Sequence, residues 1–195
     1  MAARKAEAGP YTIDDLHGLF EGGKGFELED GWLIEVAHGA RHNYVAQRLS
    51  RFIDIAVGGR ALHVCLCGGW EIATPSGVRK PDIIVLPRDV VRTAVVADTD
   101  VIPAAEALLV AEVVAPGTNS ERTDRVRKVR EYAAIGIPQY WIVEHHPQPL
   151  VHRLLLGAGG YHADPVAGPG TVFSADVVAD EDFRVRFDPA ALLEI

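Results

Sequence analysis

A nearly continuous apolar run, ALLVAEVV at residues 107–114, constrains the fold of this chain more than any other feature. A strand with one face in water alternates apolar and polar residues, whereas a strand without alternation is typical of a position covered on both faces. In sheets of that kind helices provide the cover. The run therefore predicts an α/β fold in which a central mixed sheet is flanked by helices.

The segments before this run supply helices and strands in alternation. Thr12 is a suitable N-cap for a short helix, the Asp30-Gly31 dipeptide is typical of a hairpin turn, and residues 42–57 have the apolar spacing of a helix. Three strand candidates follow between residues 61 and 86, and residues 87–106 are predicted to be an irregular, exposed connection. In the hairpin, alternation predicts one apolar face on each strand: Phe26 and Leu28, then Trp32, Ile34 and Val36.

The segments after the run continue the pattern. A capping box from Thr118 to Glu121 predicts a helix that ends near Gly136, and the strand QYWIVE follows it. The remainder predicts a C-terminal β-hairpin, the strand FRVRF and a short last helix. The inward face of the helix after the capping box is predicted to consist of Val126, Val129 and Ala133.

Charge and composition limit the classes of partner. The 195 residues include 19 Lys and Arg against 27 Asp and Glu, a formal net charge of −8 at pH 7. This balance argues against a nucleic-acid coat protein or a polybasic membrane binder, but leaves nucleic acid open as a substrate. No apolar run reaches the roughly 18 residues of a membrane span, so we expect a cytoplasmic protein without a membrane partner. Residues 1–10 are expected to be a flexible tail and residues 11–195 a single domain.

Two acidic residues stand at unusual places in apolar strands. Glu112 lies inside the central run, and Asp82 opens the strand at residues 83–86. Each alone has an ordinary explanation, since a buried carboxylate can pair with an arginine and Asp is common at turns. On neighbouring strands, however, their Cβ atoms would lie about 5 Å apart, where two carboxylates repel unless a cation lies between them. Oxygen ligands of this kind suit Mg²⁺ or Mn²⁺ better than zinc.

A positive group beside such a site would stabilise the charge on a phosphodiester under attack. Lys128 is the candidate, because it lies 16 residues after Glu112 and one helical turn from both Asp124 and Tyr132, with which it shares a face. The alternative is a solvated surface that could also contact nucleic-acid phosphates. Four arginines of the same segment favour that alternative: Arg122, Arg125, Arg127 and Arg130.

Several of these residues recur in one order. Pro81-Asp82, the segment EVVAP at residues 112–116, the series Asp124, Lys128 and Tyr132, and the string GIPQYWIV at residues 136–143 follow one another. Together they resemble the Uma2-like restriction endonuclease family of the PD-(D/E)xK nuclease superfamily. The resemblance covers roughly residues 11–155. It implies a restriction-endonuclease-like core and hydrolysis of phosphodiester bonds in nucleic acid, with DNA as the expected partner.

The resemblance also implies a set of site residues. Asp82, Glu112 and the backbone carbonyl of Val113 would hold the metal, and Glu27 and His42 would be further members of the same cleft. The chain departs from the superfamily pattern at one position, because Val114 stands where the ExK lysine would fall. Members of this branch commonly lack that lysine, and Lys128 on the following helix matches the residue that takes its place.

Two functions follow from these observations. The first is a Mg²⁺-dependent endonuclease in which Asp82, Glu112 and Lys128 are catalytic. The second is a non-catalytic module that binds nucleic acid or protein on a degenerate nuclease fold, and it is motivated by Val114 and the net negative charge. A homodimer is an expectation by analogy of fold, since two sites could then address two strands.

Overall fold

The fold is described from a computed structural model, which describes residues 9–36, 39–66, 69–114 and 119–195. The helices are α1 (Ile13–His17), α2 (Ala40–Val57), α3 (Arg88–Ala97), α4 (Asn119–Arg122) and α5 (Lys128–Ala134), and a π-helical turn (Thr123–Arg127) joins the last two. Short 3₁₀ turns cover Phe20–Gly23, Ala104–Glu106 and Pro189–Leu192. The strands are β1 (Phe26–Glu29), β2 (Trp32–Glu35), β3 (Leu62–Leu66), β4 (Glu71–Thr74), β5 (Gly77–Arg79), β6 (Ile83–Pro87), β7 (Val101–Ile102), β8 (Leu109–Val114), β9 (Gln139–Glu144), β10 (Leu150–Gly157), β11 (Gly160–Ala163), β12 (Phe173–Val177) and β13 (Phe183–Phe187).

The described strands form three sheets. The largest has six strands in the order β11-β10-β9-β8-β6-β3 and is mixed, because β8 and β9 are parallel whereas the other neighbours are antiparallel. A five-stranded sheet has the order β2-β1-β5-β4-β7, and β12 and β13 pair with each other. The central strand of the large sheet is β8, which is buried at every position. The predicted mixed sheet around residues 107–114 is therefore confirmed.

Helices cover the large sheet on both faces, as the α/β prediction requires. On one face α2 and the β12–β13 pair pack around a core that includes Leu49, Ile53 and Trp141. On the other face α3 and α5 pack around a core that includes Val110 and Tyr140. Successive residues of β8 belong to opposite faces, so Glu112 projects toward the α5 side together with Val110.

The local signals at turns and helix ends are also confirmed. Asp30 and Gly31 both have positive φ, at 50° and 80°, which is the backbone that a two-residue type I′ hairpin turn requires. Thr12 caps α1 and forms a capping box with Asp15. Helix α2 ends at Gly58, whose φ of 58° stops it.

Other predictions about the fold are wrong. Residues 87–106 are not an irregular connection, since they contain α3 and β7. Valine is a weak helix former, which hid α3 in the sequence, but Val91 and Ala94 are buried and hold it against the sheet. The segment before Asp82 contains an extra strand, β5, and the segment before FRVRF contains β12.

On the hairpin, the predicted apolar face of β1 is confirmed, because Phe26 and Leu28 belong to one apolar cluster, whereas the predicted face of β2 is wrong. Leu28 lies opposite Leu33, and both belong to a small apolar cluster, whereas Trp32 is 58% exposed. Glu27 and Glu29 are the buried residues of the other face. On β1 apolar residues alternate with glutamates, but on β2 Leu33 lies between two other apolar residues. The sequence pattern alone therefore did not determine which face of the hairpin is covered.

Some predictions fall on segments outside the described residues, namely most of the proposed tail (residues 1–8) and the capping residue Thr118. None of the helices in the described segments has both the length and the apolarity needed to cross a membrane.

Candidate active site

Asp82 and Glu112 lie side by side in the large sheet. Strands β6 and β8 are antiparallel, and the pairing of Ile83 with Ala111 puts the preceding Asp82 next to Glu112. Both carboxylates are buried, with 3% and 4% of their surfaces exposed. The backbone N–H of Val113 donates a hydrogen bond to Oδ2 of Asp82 over 2.7 Å, which ties the two strands together at this point. The expected neighbourhood of the two acids is therefore present.

Lys128 lies inside the same cluster. Its Nζ is 2.8 Å from Oε1 of Glu112, 3.0 Å from Oε1 of Glu27 and 3.0 Å from Oδ1 of Asp124. Only 3% of Lys128 is exposed, so the alternative of a solvated lysine is wrong. We call these three carboxylates, those of Glu27, Glu112 and Asp124, together with the adjacent Asp82 the carboxylate cluster.

The helical segment presents its polar face to the sheet. Asp124, Lys128 and Tyr132 are buried at successive turns, whereas Val126, which was expected to point inward, is 43% exposed. The π-helical turn ends immediately before Lys128, and such turns are frequent at functional sites. The covered face therefore follows the spacing of the three polar residues, and of the two predicted valines only Val129 packs against the core.

Two buried tyrosines fix this arrangement. The hydroxyl of Tyr132 donates to Oε1 of Glu112 over 3.1 Å, and the hydroxyl of Tyr140 donates to the backbone carbonyl of Asp124 over 2.9 Å. Their rings contact edge to face with centroids 5.1 Å apart. Glu112 and the π-helical turn before α5 are thus held by hydrogen bonds from the apolar core.

The carboxylates of the cluster differ in their pKa values. Burial raises the pKa of Glu112 well above its ordinary value, against the effect of Lys128, and the neighbouring carboxylates raise it further. Asp124 shifts in the same direction for the same reasons. Burial also opposes the charge on Glu27, but the cations of Lys128 and Arg79 hold the pKa of Glu27 below its usual value. For Glu112 and Asp124 the nearby cations therefore do not offset the combined effect of burial and repulsion by neighbouring carboxylates.

His42, in the first turn of α2, lies against the same cluster. Its Nε2 is 3.0 Å from Oδ2 of Asp82, and its Nδ1 is 3.3 Å from Oδ1 of Asn43. Burial favours the neutral ring, but Asp82 and the backbone of Val113 raise the pKa of His42 above its ordinary value. The structure thus brings His42 and Glu27 to the site, as the family resemblance implied.

A second group of buried charges, which was not predicted from the sequence, adjoins the first. Arg79 is fully buried and donates to Glu131 (Nε, 2.7 Å), Glu29 (Nη2, 2.8 Å) and Glu27 (Nη1, 3.3 Å). We call Arg79 with Glu29 and Glu131 the arginine cluster. Glu131 and Lys128 belong to the same helix, so Arg79 fastens that helix to the five-stranded sheet.

Of the four arginines near Lys128, two are paired with acidic side chains of the chain, whereas Arg122 and Arg130 are exposed. Arg125 pairs with Glu121 over 3.1 Å and with Glu144 over 2.5 Å, and Arg127 pairs with Glu29. These side chains compensate acidic groups of the chain itself.

His145 lies beside His42 at the edge of the site. It is buried, and neither of its ring nitrogens has a hydrogen-bond partner among the described residues. Its ring lies edge to face with that of His42 at a centroid distance of 6.4 Å. Burial and the nearby positive charges lower the pKa of His145.

The chemistry available at this site comes from oxygen donors and one ammonium. The described residues contain no group of three or more His, Cys, Asp or Glu side chains arranged around a common metal position. What the chain offers to a cation is a pair of adjacent carboxylates, Asp82 and Glu112, with backbone groups of β8 beside them.

Comparisons with known proteins agree with this geometry. The structure resembles the crystal structure of a "putative nuclease belonging to DUF820" from Anabaena variabilis ATCC 29413, with a TM-score of 0.62 and 16% identity over 81% of this chain and 84% of that chain. At that identity the likeness establishes the fold. No curated protein matches the chain. The model of the Uma2 family, described as "Putative restriction endonuclease", matches residues 13–186, and the chain therefore belongs to this family of restriction-endonuclease-like nucleases.

Proposed function

We propose that this chain is a Mg²⁺-dependent endonuclease that hydrolyses phosphodiester bonds of nucleic acid, with DNA as the substrate and Mn²⁺ as an alternative ion. The observation that carries the proposal is the excess of buried carboxylates in one place. Within the described residues, three buried carboxylates lie within 3.0 Å of a single ammonium, and a fourth, that of Asp82, lies beside Glu112 and 3.0 Å from the imidazole of His42. A bound cation would reduce the repulsion among these carboxylates, whereas apolar surroundings increase the free-energy cost of their charges.

The donor set suits Mg²⁺. This ion is usually held by one or two carboxylates and keeps several water ligands, so a pair of adjacent acids is sufficient. Asp82 and Glu112 would supply the carboxylates, and the backbone carbonyl of Val113 would supply a third protein ligand. When bound, Mg²⁺ would neutralise charge on the scissile phosphate and make a water molecule more acidic.

Lys128 would stabilise the negative charge that develops on the phosphate as water attacks. Burial favours the neutral amine, but the surrounding carboxylates raise the pKa of Lys128 well above its ordinary value and keep the ammonium charged. Its contacts with Glu27 and Asp124 fix the position of that charge before substrate arrives. A charge fixed in advance in a site of low polarity requires no reorganisation during the reaction.

The remaining residues of the site would hold these groups in position. Tyr132 orients Glu112 through its hydroxyl, and His42 orients Asp82 through Nε2. Because each carboxylate is held by a group from a different element, the two acids stay adjacent even though they repel each other.

The alternative of a non-catalytic module rested on Val114, which stands where the superfamily has lysine. Lys128 supports the catalytic proposal against it, because a charged Nζ lies 2.8 Å from Glu112. The proposal also includes location in the cytoplasm and a homodimer. By analogy with other symmetric oligomers, the two sites of such a dimer would act on the two strands of DNA.

Calorimetric titration with Mg²⁺ or Mn²⁺ tests the metal site directly. We expect saturable binding to the wild-type chain and to Glu106→Gln, a matched control at an exposed glutamate. We expect no binding to Glu112→Ala. The titration is repeated with a non-cleavable oligonucleotide present, because a substrate phosphate can complete the coordination.

Cleavage of a mixture of DNA substrates in the same buffer then tests the activity. Metal binding that is lost in Glu112→Ala and accompanied by Mg²⁺-dependent cleavage supports the endonuclease. No binding under either condition, together with metal-independent binding of nucleic acid, would establish the non-catalytic module in its place.

A further inference from the structure

A cavity of about 600 Å³ opens beside the carboxylate cluster. It lies between the β1–β2 hairpin, the start of α2 and the beginning of β4. This volume falls within the range of ordinary small-molecule sites, and the proposed hydrolysis uses none of the side chains in its walls. The residues that matter for its chemistry are Phe26, Val36, Asn43, Glu71 and Lys80.

The cavity shares a wall with the candidate active site. Oδ1 of Asn43 lies 3.3 Å from Nδ1 of His42. The backbone N–H of Lys80 donates to Oε1 of Glu27 over 2.9 Å, and Lys80 precedes Asp82 by two residues. If a substrate phosphate were bound at Asp82, the nucleotide attached to that phosphate would therefore be able to reach the cavity.

The floor of the cavity is a fixed polar network. Nζ of the buried Lys80 lies 3.1 Å from Oε1 of Glu71 and donates to the carbonyl of Gly23 over 3.0 Å. Nε2 of His17 lies 2.7 Å from Oε2 of Glu71. An ammonium has three N–H groups, and these contacts account for two of them within the described part of the chain. Lys80 thus offers a hydrogen-bond donor whose position is fixed by its contacts with Glu71 and Gly23.

The charges around the cavity indicate which part of a nucleotide it suits. Among its described lining residues three are acidic, Glu21, Glu71 and Asp100, whereas two are lysines, Lys24 and Lys80. A lining with this balance disfavours a phosphate. Phe26 and Val36 provide apolar surface, and the amide of Asn43 and the ammonium of Lys80 provide hydrogen-bonding groups. A neutral planar ring with donors and acceptors at its edge fits both kinds of wall.

We propose that this cavity receives one unpaired nucleobase of the substrate strand, next to the phosphate that is cleaved. The inference rests on the proposed function and narrows its substrate class. A base inside a duplex cannot reach a pocket of this kind without leaving the stack. The preferred substrate would therefore carry an unpaired base beside the scissile bond, as a bulge, a mismatch or a single-stranded end does.

Fluorescence anisotropy with three labelled DNA duplexes, in EDTA buffer, tests the cavity apart from cleavage. One duplex carries a single bulged nucleotide, the second carries the same bulge without its base, and the third is fully paired. The two bulged probes have equal charge, so a difference between them reports the base alone. We expect the base to strengthen binding about tenfold, a typical effect of one stacked base.

Two glycines give a matched pair of variants. A Cβ at Gly69, which lines the cavity, meets no heavy atom within 4 Å, and the same is true of Gly59 in the turn after α2. Gly69→Trp should remove the tenfold preference for the base, whereas Gly59→Trp should keep it. If Gly69→Trp does not fold, Val36→Phe narrows the cavity from another wall and must remove the same preference.

Equal affinity of the wild-type chain for the two bulged probes would overturn the proposal. So would a preference that survives both Gly69→Trp and Val36→Phe. Failure of the proposed function would be seen separately. If the wild-type chain prefers the bulged base and the variants lose that preference, but the wild-type chain cleaves no probe in Mg²⁺, the nucleobase site stands and the endonuclease is excluded.

Discussion

The carboxylate cluster and the arginine cluster are neighbours built from the same residue types, yet their charges are balanced differently. Arg79 donates to Glu131 through two of its nitrogens, a geometry in which guanidinium and carboxylate fit closely, and the pKa of Glu131 is lowered although burial opposes this. In the carboxylate cluster the pKa values of Glu112 and Asp124 are raised. Glu27 belongs to both, since it contacts Arg79 and Lys128.

This difference separates two uses of buried charge. Acids that are paired with a guanidinium hold elements of the fold together, and they need no further cation. Acids that outnumber the cations beside them raise one another's pKa values, and a cation bound from solution would stabilise their charged forms. This is the electrostatic condition of a catalytic or metal-binding site. Substitutions in the carboxylate cluster should therefore change activity, and substitutions in the arginine cluster should change stability.

The largest effect expected from this comparison is the loss of cleavage in Glu112→Gln. Removing one ligand of the proposed metal should lower the cleavage rate by about 10³-fold, since the metal would stabilise the negative charge that develops on the phosphate. The same substitution removes a carboxylate that is in excess, so Tm should stay the same or rise. Cleavage assays and thermal melts of Glu112→Gln and the exposed control Glu106→Gln check both parts. A large fall in Tm with activity retained in the folded fraction would contradict the comparison.

Lys128→Met should rank second, with a fall in cleavage rate of about 10²-fold. The ammonium is the one lysine charge among the four carboxylates, and Met keeps the length of the side chain without the charge. Arg130→Met, at an exposed cation on the same helix, is the matched control and should cleave normally. If both variants lose activity equally, the effect belongs to the surface charge of the helix and not to the site.

Patterning in the sequence predicted the part of the site that lies on strands. Glu112 stood out because it interrupts an apolar run, whereas the pairing of β6 with β8, which the sequence left open, became visible only in the structure. The position of Lys128 was not accessible in this way. Its own helix suggested an inward face of valines, and the family resemblance, not the periodicity, indicated that this lysine faces the sheet.

The remaining differences have identifiable physical causes. Arg79 and Lys80 precede Pro81-Asp82 and look like ordinary charged residues at the start of a strand, so burial of both could be seen only in three dimensions. Helix α3 was missed because local propensity opposed it and packing of Val91 overrode that propensity. Each failure occurs where tertiary contacts outweigh a local preference.

Arg79→Met is the corresponding test of the arginine cluster. It leaves the half-buried Glu131 without its guanidinium and removes one of the cations that contact Glu29, which should lower the free energy of unfolding by about 3–5 kcal/mol. Arg79→Lys keeps the charge but loses the fork of donors, so we expect an intermediate loss. Urea denaturation measures both. A stability equal to wild type in Arg79→Met would show that this cluster is as dispensable for folding as an exposed ion pair.

The smallest effect, and the finest test, is the pH dependence of Glu131→Gln. Ionised Glu131 faces Arg79 from β5 and Lys128 on its own helix, and it accepts a hydrogen bond from Ser76. A carboxyl whose pKa is lowered by folding stabilises the protein above its unfolded pKa, and that contribution disappears as the pH falls through the folded pKa. Glu131→Gln should therefore melt below wild type near neutral pH, and the two melting curves should converge as the solution becomes acidic. Because the carboxylates in excess shift in the opposite direction, a gap in Tm that widens toward acid would mean that Glu131 shares their unbalanced charge, and the division between the two clusters would not hold.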